Sequence, residues 1–368
     1  MKTAKELYDE RINRIRKAIA LEKPDRTPVV LTLSSLSAKL TGVPLAEIAK
    51  SIENSSKYNI EALKKLGDVD GNNNAFTMAR SFPLMFMTKV KIPGRDLPEN
   101  TLWQLDEMEV MTHEDYDTIL NKGWFSFRDE FLENKLGVDR KSLNMDLASA
   151  PQATKNMIEA GYVVYHGFGA TTVNEYLGGG RSLAKYMRDL FKIPDKVEAV
   201  LDVILAEEID VIRKRIRDTK PEVVFLSPAR GASEFFSPKL WERFVWKYLK
   251  QTADAIIEEG AVCNIHIDSN WERDLDYFTD FKKGTCVFET DGMTDIYKIK
   301  DKLGSIMCIK GDVPAGKLVL ASPDEVYDYS SRLIRDMGPG FILSSGCTLP
   351  PNATEENVKA MISAATGH

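Results

Sequence analysis

Four stretches of this chain place metal-binding or proton-carrying side chains where a buried apolar run gives way to loop residues. Cys263-Asn264-Ile265-His266-Ile267-Asp268 sets an imidazole two positions before a carboxylate. Glu289 closes Cys286-Val287-Phe288-Glu289, Asp312 follows Cys308-Ile309-Lys310-Gly311, and Cys347 follows Leu343-Ser344-Ser345-Gly346. Imidazole, thiolate and carboxylate are donors that zinc takes. Three of them leave a fourth position for substrate, which is the catalytic pattern and not the structural one. His266, Glu289 and Cys347 satisfy that count, and so do His266, Asp268 and Cys347. Cys263, Cys286 and Cys308 lie inside apolar runs and read as small buried hydrophobes. His166, in Tyr165-His166-Gly167-Phe168, stands after another such run and can give a proton to a leaving oxygen. Asp312 is placed to orient substrate or a ligand.

These groups meet only if the strands that carry them end on one rim. Short apolar runs occur at 28–33, 73–78, 162–165, 223–226, 262–266, 286–289, 306–309 and 341–344. Most are separated by amphipathic stretches. The clearest starts at Leu240, with Phe244, Tyr248, Thr252 and Ile256 at intervals of four. Alternating apolar strands and helices predict an α/β fold with a parallel sheet covered on both faces. Eight such units predict a closed (β/α)8 TIM barrel, whose chemistry sits at the carboxyl ends of its strands. Ile12, Ile15, Ala18 and Ile19 recur at helical spacing before Pro24 and predict an N-terminal helical extension. Residues 1–368 read as one domain, with an insertion after the second strand at about 84–160 that carries Trp103 and Trp124. That insertion is expected to cover the mouth or to form a homodimer contact. Gly178-Gly179-Gly180-Arg181 reads as a turn and not a phosphate loop, because no Lys-Ser/Thr follows. His113 reads as a helix start in a solvated segment.

Composition narrows the class. The chain has 368 residues, a net charge of -6 and 43% hydrophobic residues. The acidic balance argues against nucleic acid as a partner. No apolar run approaches the ~20 residues of a membrane helix. The charged, helix-patterned start is not a signal peptide, and four cysteines without a CxxC pair do not make a disulfide framework. A cytoplasmic protein is expected.

Two segments carry a resemblance. Arg14-Ile15-Arg16-Lys17-Ala18-Ile19, followed by Glu22-Lys23-Pro24-Asp25-Arg26-Thr27-Pro28-Val29, resembles the start of the uroporphyrinogen decarboxylase superfamily. The tail from Gly340 through Ser344-Ser345-Gly346-Cys347-Thr348-Leu349-Pro350-Pro351-Asn352 resembles its corrinoid-dependent zinc methyltransferase branch. The resemblance implies the barrel and a zinc ion held by a His-x-Cys pair after strand five and a Gly-Cys after strand eight. His266 and Cys347 match two of those ligands, Asp268 stands where the middle Cys would, and Glu289 stands where the family also offers a carboxylate. The implied shell is His266, Glu289 and Cys347. Asp268 is left as a fourth ligand, as the partner that fixes the imidazole, or on the substrate side. The decarboxylase itself fits less well: Val29-Val30-Leu31-Thr32-Leu33-Ser34-Ser35 lacks its arginine-rich segment, and Leu226-Ser227-Pro228-Ala229 lacks its acidic residues.

Replacing a thiolate by a carboxylate leaves a harder ion with more affinity for oxygen. The expected substrate is therefore a methoxylated compound, best an aromatic methyl ether. Its methyl group would pass to the Co(I) corrinoid of a partner protein, as in the first methyltransferase of O-demethylase systems. Phe76, Tyr165, Phe168 and Trp271, and also Phe82, are expected to meet a planar donor. The alternatives are transfer from the methylated corrinoid to a thiol or folate, decarboxylation of an acid, and a barrel without catalysis.

Overall fold

The computed structural model describes residues 2–367. The apolar runs become the staves β1 (Val30–Leu31), β2 (Gly71–Asn72), β3 (Val163–Val164 and Phe168–Thr171), β4 (Val223–Ser227), β5 (Val262–Ile267), β6 (Cys286–Thr290), β7 (Cys308–Val313) and β8 (Phe341–Ser345). Each pairs in parallel with the next. The ring closes where Val29 bridges Leu343 and the Leu343 amide donates to the Pro28 carbonyl at 2.9 Å. The architecture is the (β/α)8 barrel that the alternating pattern predicts.

Two staves differ in detail from the sequence reading. The second ends at Asn72, before the expected 73–78 run. Asparagine side chains take over there: Asn72 Oδ1 accepts from the Leu33 amide at 3.0 Å, and its Nδ2 donates to the Asn74 carbonyl at 2.7 Å. Such local bonds compete with a ladder and turn the chain. The third stave runs past 165 and changes neighbours at its middle. The amides of Tyr165 and His166 donate to β2 residues and their successor, whereas Gly167 donates to Val223 of β4.

Alternation within each strand sorts the side chains. Val30, Val163, Val223, Val287, Cys308 and Ile342 form one apolar layer inside the barrel, sealed from below by Ile12, Ile15 and Ile19 of the helix Ala4–Ile19. Two residues further along the strands, the interior turns polar: Asn264, Glu289, Lys310 and Ser344 are all buried. Outward positions such as Ile265, Phe288 and Leu343 join the main core under the helices.

The segment between β2 and β3 holds a two-stranded hairpin, Val90–Lys91 with Gln104–Leu105, and the helices His113–Lys122, Trp124–Asn134, Arg140–Leu147 and Ala150–Glu159. Gly178 to Gly180 lie in the helix Asn174–Arg181, not in the expected turn. A Cβ on Gly179 would stand 1.6 Å from the Phe86 carbonyl oxygen, so the backbone of the 82–86 helix rests directly on this one. His113 does begin a helix, and its Nε2 lies 2.8 Å from Asp189. No described helix is long and apolar enough to cross a membrane.

The opening motif is the barrel's floor. Arg14, buried, pairs with Asp70 at the foot of β2 and with Asp25. Asp70 is fully buried, accepts from the Val29 amide at 2.7 Å and pairs with Arg26 at 2.7 Å. Removing one member of such a network strands the others' charge. Asp70→Ala is therefore expected to cost roughly 3–5 kcal/mol, read by denaturant unfolding. A loss below about 1 kcal/mol would show that the floor does not depend on this network.

Candidate metal centre

The register of β5 and β6 sets His266 directly beside Glu289. His266 is the last but one residue of β5, and the chain leaves the strand through Asp268. His266 Nε2 lies 3.4 Å from Asp268 Oδ1 and 3.8 Å from Cys347 Sγ. One donor atom from each of the three residues falls within 4.8 Å of the other two. These separations suit three ligands on one ion. His266 is buried, whereas Asp268 and Cys347 are partly exposed toward the mouth.

The loops that hold the triangle share one brace. Ser269, in the left-handed region at φ 70°, donates its amide to Asp291 Oδ2 at 2.9 Å. Asp291 Oδ1 accepts from the Met293 amide at 2.8 Å. A Cβ on Gly346 would stand 2.3 Å from the Asp291 carbonyl oxygen, so only glycine lets the strand pass this close before Cys347. Trp271 is buried in an aromatic cluster with Trp241 and Phe278. Its indole N–H donates to the Asp268 carbonyl at 2.8 Å, so it fixes that loop from behind.

Glu289 lies on the other side of the same ring. Its Oε2 is 3.7 Å from His266 Nδ1, whereas Asp268 and Cys347 approach Nε2. The carboxylate is already engaged by Lys310, by Asn264 Nδ2 at 2.5 Å and by Asn73 Nδ2 at 3.3 Å. The structure thus brings His266, Asp268 and Cys347 together and leaves Glu289 outside that group. The lysine, which the sequence analysis did not single out, holds the carboxylate there. Burial would raise the Glu289 pKa, but Lys310, His266 and His166 together hold it well below the carboxylate range. Burial likewise disfavours an imidazolium at His266, yet Glu289, Asp268 and Cys347 hold its pKa well above the usual histidine range.

His166 is buried between Tyr165 and Phe225, with ring centroids at 4.8 and 5.0 Å. Its Nε2 has no hydrogen-bond partner and lies 4.0 Å from Glu289 Oε2. Burial outweighs Glu289 and lowers its pKa to about 3, so the ring is neutral. Asp312, on β7, is pushed up to about 6 by burial, against the hydrogen bond from the Tyr329 hydroxyl at 3.0 Å.

The expected aromatic residues divide. Tyr165 points into the barrel, and its hydroxyl donates to Asn264 Oδ1 at 3.3 Å. Phe168 packs in the outer core with the Arg215 guanidinium 4.2 Å above its ring, away from the axis. Phe76 is partly buried against the core, and Phe82 packs on Phe86 and Trp103 of the insertion. Sequence reading missed Lys310, Asn73, Asn264 and Phe225, whose ring centroid lies 5.5 Å from that of His266. The period-two alternation that makes Glu289 face inward also assigns Lys310 and Asn264 to the interior, and that signal was available.

The uroporphyrinogen decarboxylase (URO-D) family matches residues 163–368 of this chain. A solved methyltransferase from Methanosarcina mazei is similar in fold, with a TM-score of 0.68 and 17% identity over 95% of this chain and 96% of that one. No curated protein sequence matches.

Gly346→Ala is expected to push Cys347 off its place and weaken metal binding by about tenfold or more, with the fold retained. Chelator competition reads this, and unchanged affinity would free the thiolate from the Asp291 brace. Asp312 gives a pH dependence. Its folded pKa of about 6 exceeds the ordinary aspartate value of 3.8, so between these values the folded state holds a proton that the unfolded chain has lost. Stability is expected to fall by roughly 2–3 kcal/mol from pH 4 to above pH 6 on this account. Asp312→Asn should flatten that part of an unfolding series, and an unaltered slope would assign it elsewhere.

Proposed function

We propose, for a chain that belongs to the uroporphyrinogen decarboxylase family, that it is a zinc-dependent methyltransferase. It takes a methyl group from a methoxylated compound, best an aromatic methyl ether, to the Co(I) corrinoid of a partner protein. The observation that carries this is the cluster of His266, Asp268 and Cys347 on one rim, with His266 Nε2 3.4 Å from Asp268 Oδ1 and 3.8 Å from Cys347 Sγ. One imidazole, one carboxylate and one thiolate are donors that suit a divalent ion. The ligand set proposed is therefore His266, Asp268 and Cys347, with Glu289 behind the imidazole. A zinc ion in this set supplies a Lewis acid for an ether oxygen.

The chain's own residues do the rest. Asp268 and Cys347, on the solvent side of the triangle, leave the mouth open to the donor. A single thiolate among the ligands favours an oxygen donor over a thiol, because softer shells suit sulfur. Asp312, pushed up to about 6, can carry a proton near neutrality for the leaving oxygen. His166, held neutral at its depth in the barrel, is assigned to supporting the Glu289 layer. Two features of the decarboxylase reading do not appear on these staves: β1 carries no arginine cluster, and β4 ends in Ser227.

The test is direct. Incubation with a Co(I) corrinoid protein and methoxyarenes is expected to give methyl-Co(III) absorbance, with phenol released in equal amount. Cys347→Ser is expected to lower zinc content to below about a tenth of an equivalent per chain and abolish transfer. Methylation of a thiol from methyl-Co(III), with no transfer from any ether, would reverse the assigned direction. Full activity of metal-free protein would remove the metal from the mechanism.

A further inference from the structure

Lys310 has no exposure to solvent, although it lies on a strand in the middle of the barrel. Taking an ammonium out of water costs several kcal/mol unless its charge and its hydrogens are matched. They are matched here. Nζ pairs with Glu289 Oε1, donates to Asn73 Oδ1 at 2.9 Å and lies 5.2 Å from the centre of the Tyr165 ring. Asn73 Nδ2 in turn bonds Thr32 Oγ1 at 2.7 Å, which ties the group to the first stave. Pure packing needs no such cation, since an apolar side chain of similar volume fills the same space without a charge to match.

What the arrangement achieves is direction. Lys310 and Asn73 both take Oε1, and Asn264 takes Oε2 from below. The free edge of Oε2 is turned toward His266, whose Nδ1 is buried and has no other partner. A carboxylate on one ring nitrogen fixes the tautomer and plane of an imidazole that ligates through the other. Resting on the assignment of His266, Asp268 and Cys347 as ligands, we propose that Lys310 is a positioning residue for the metal centre. It pins Glu289 to the Nδ1 side of His266, keeps that carboxylate out of the ligand set, and so aims Nε2 at Asp268 and Cys347.

Lys310 acts in this scheme only through Glu289, which makes a double-mutant cycle in metal affinity the decisive measurement. Zn2+ and Co2+ dissociation constants of the full chain are measured by chelator competition for the parent protein, Lys310→Met, Glu289→Gln and the double variant. Lys310→Met and Glu289→Gln are each expected to weaken binding by about 10–100-fold. The double variant should be no weaker than Glu289→Gln. Parent-like affinity in Lys310→Met, or losses that multiply in the double variant, would overturn the proposal. Where Lys310→Met fails to fold, the double variant, whose pair is neutral, decides alone. Affinity equal to that of Glu289→Gln supports the role, and a further tenfold loss refutes it. A thiolate-to-cobalt absorption band in the parent, absent from Cys347→Ser, tests the underlying ligand set separately. Its absence from the parent overturns the ligand assignment, whatever the cycle shows.

Discussion

A carboxylate and an ammonium, both sealed inside a closed ring of strands, constrain everything around them. Glu289 and Lys310 cannot reach water, so every oxygen and hydrogen must find a partner within the barrel. Asn73, Asn264 and Tyr165 provide those partners. Their strands are thereby locked in register through side chains as well as backbone. The apolar layer beneath makes this possible: Val30, Val163, Val287 and Ile342, closed by Ile12 and Ile15, exclude solvent from one end. The barrel is thus apolar beneath, polar at its waist around the paired Glu289 and Lys310, and open at its rim.

That division accounts for what the sequence disclosed. The staves were legible because buried parallel strands need continuous apolar runs, and those runs recur between helical patterns. Where side chains bond the backbone, the runs mislead. Asn72 ends β2 early through its own amide bonds, and the third stave outlasts its apolar run by exchanging neighbours at His166 and Gly167. The glycine triplet misled in the opposite sense. Glycines signal turns when nothing approaches them, whereas at Gly179 another backbone lies against the helix. No local rule reports an approach from a segment some ninety residues earlier.

The rim residues were legible by type and by position after a strand. Their sorting was not. His266 and Cys347 stand at strand ends whose register brings them together, but which of two carboxylates joins them depends on a third party. Lys310, between Ile309 and Gly311, faces inward by alternation, but nothing in its own segment names Glu289 as its partner. The register between β6 and β7 sets Glu289 opposite Lys310.

Two acidic side chains therefore flank one imidazole and meet different fates. Asp268 lies beyond the strand, partly in solvent, hung on the Trp271 indole and the Asp291 brace through its loop. It can change its contacts at little cost when an ion or substrate arrives. Glu289 is fixed by three donors and shielded on all sides, so moving it would strand Lys310. Burial and its three donors make the difference: the same carboxylate chemistry is pliable at the mouth and rigid at the waist. An imidazole held from behind by the rigid group and faced by the pliable one has a set direction but an adjustable partner. Those are the requirements that the proposed metal centre places on the imidazole it would use.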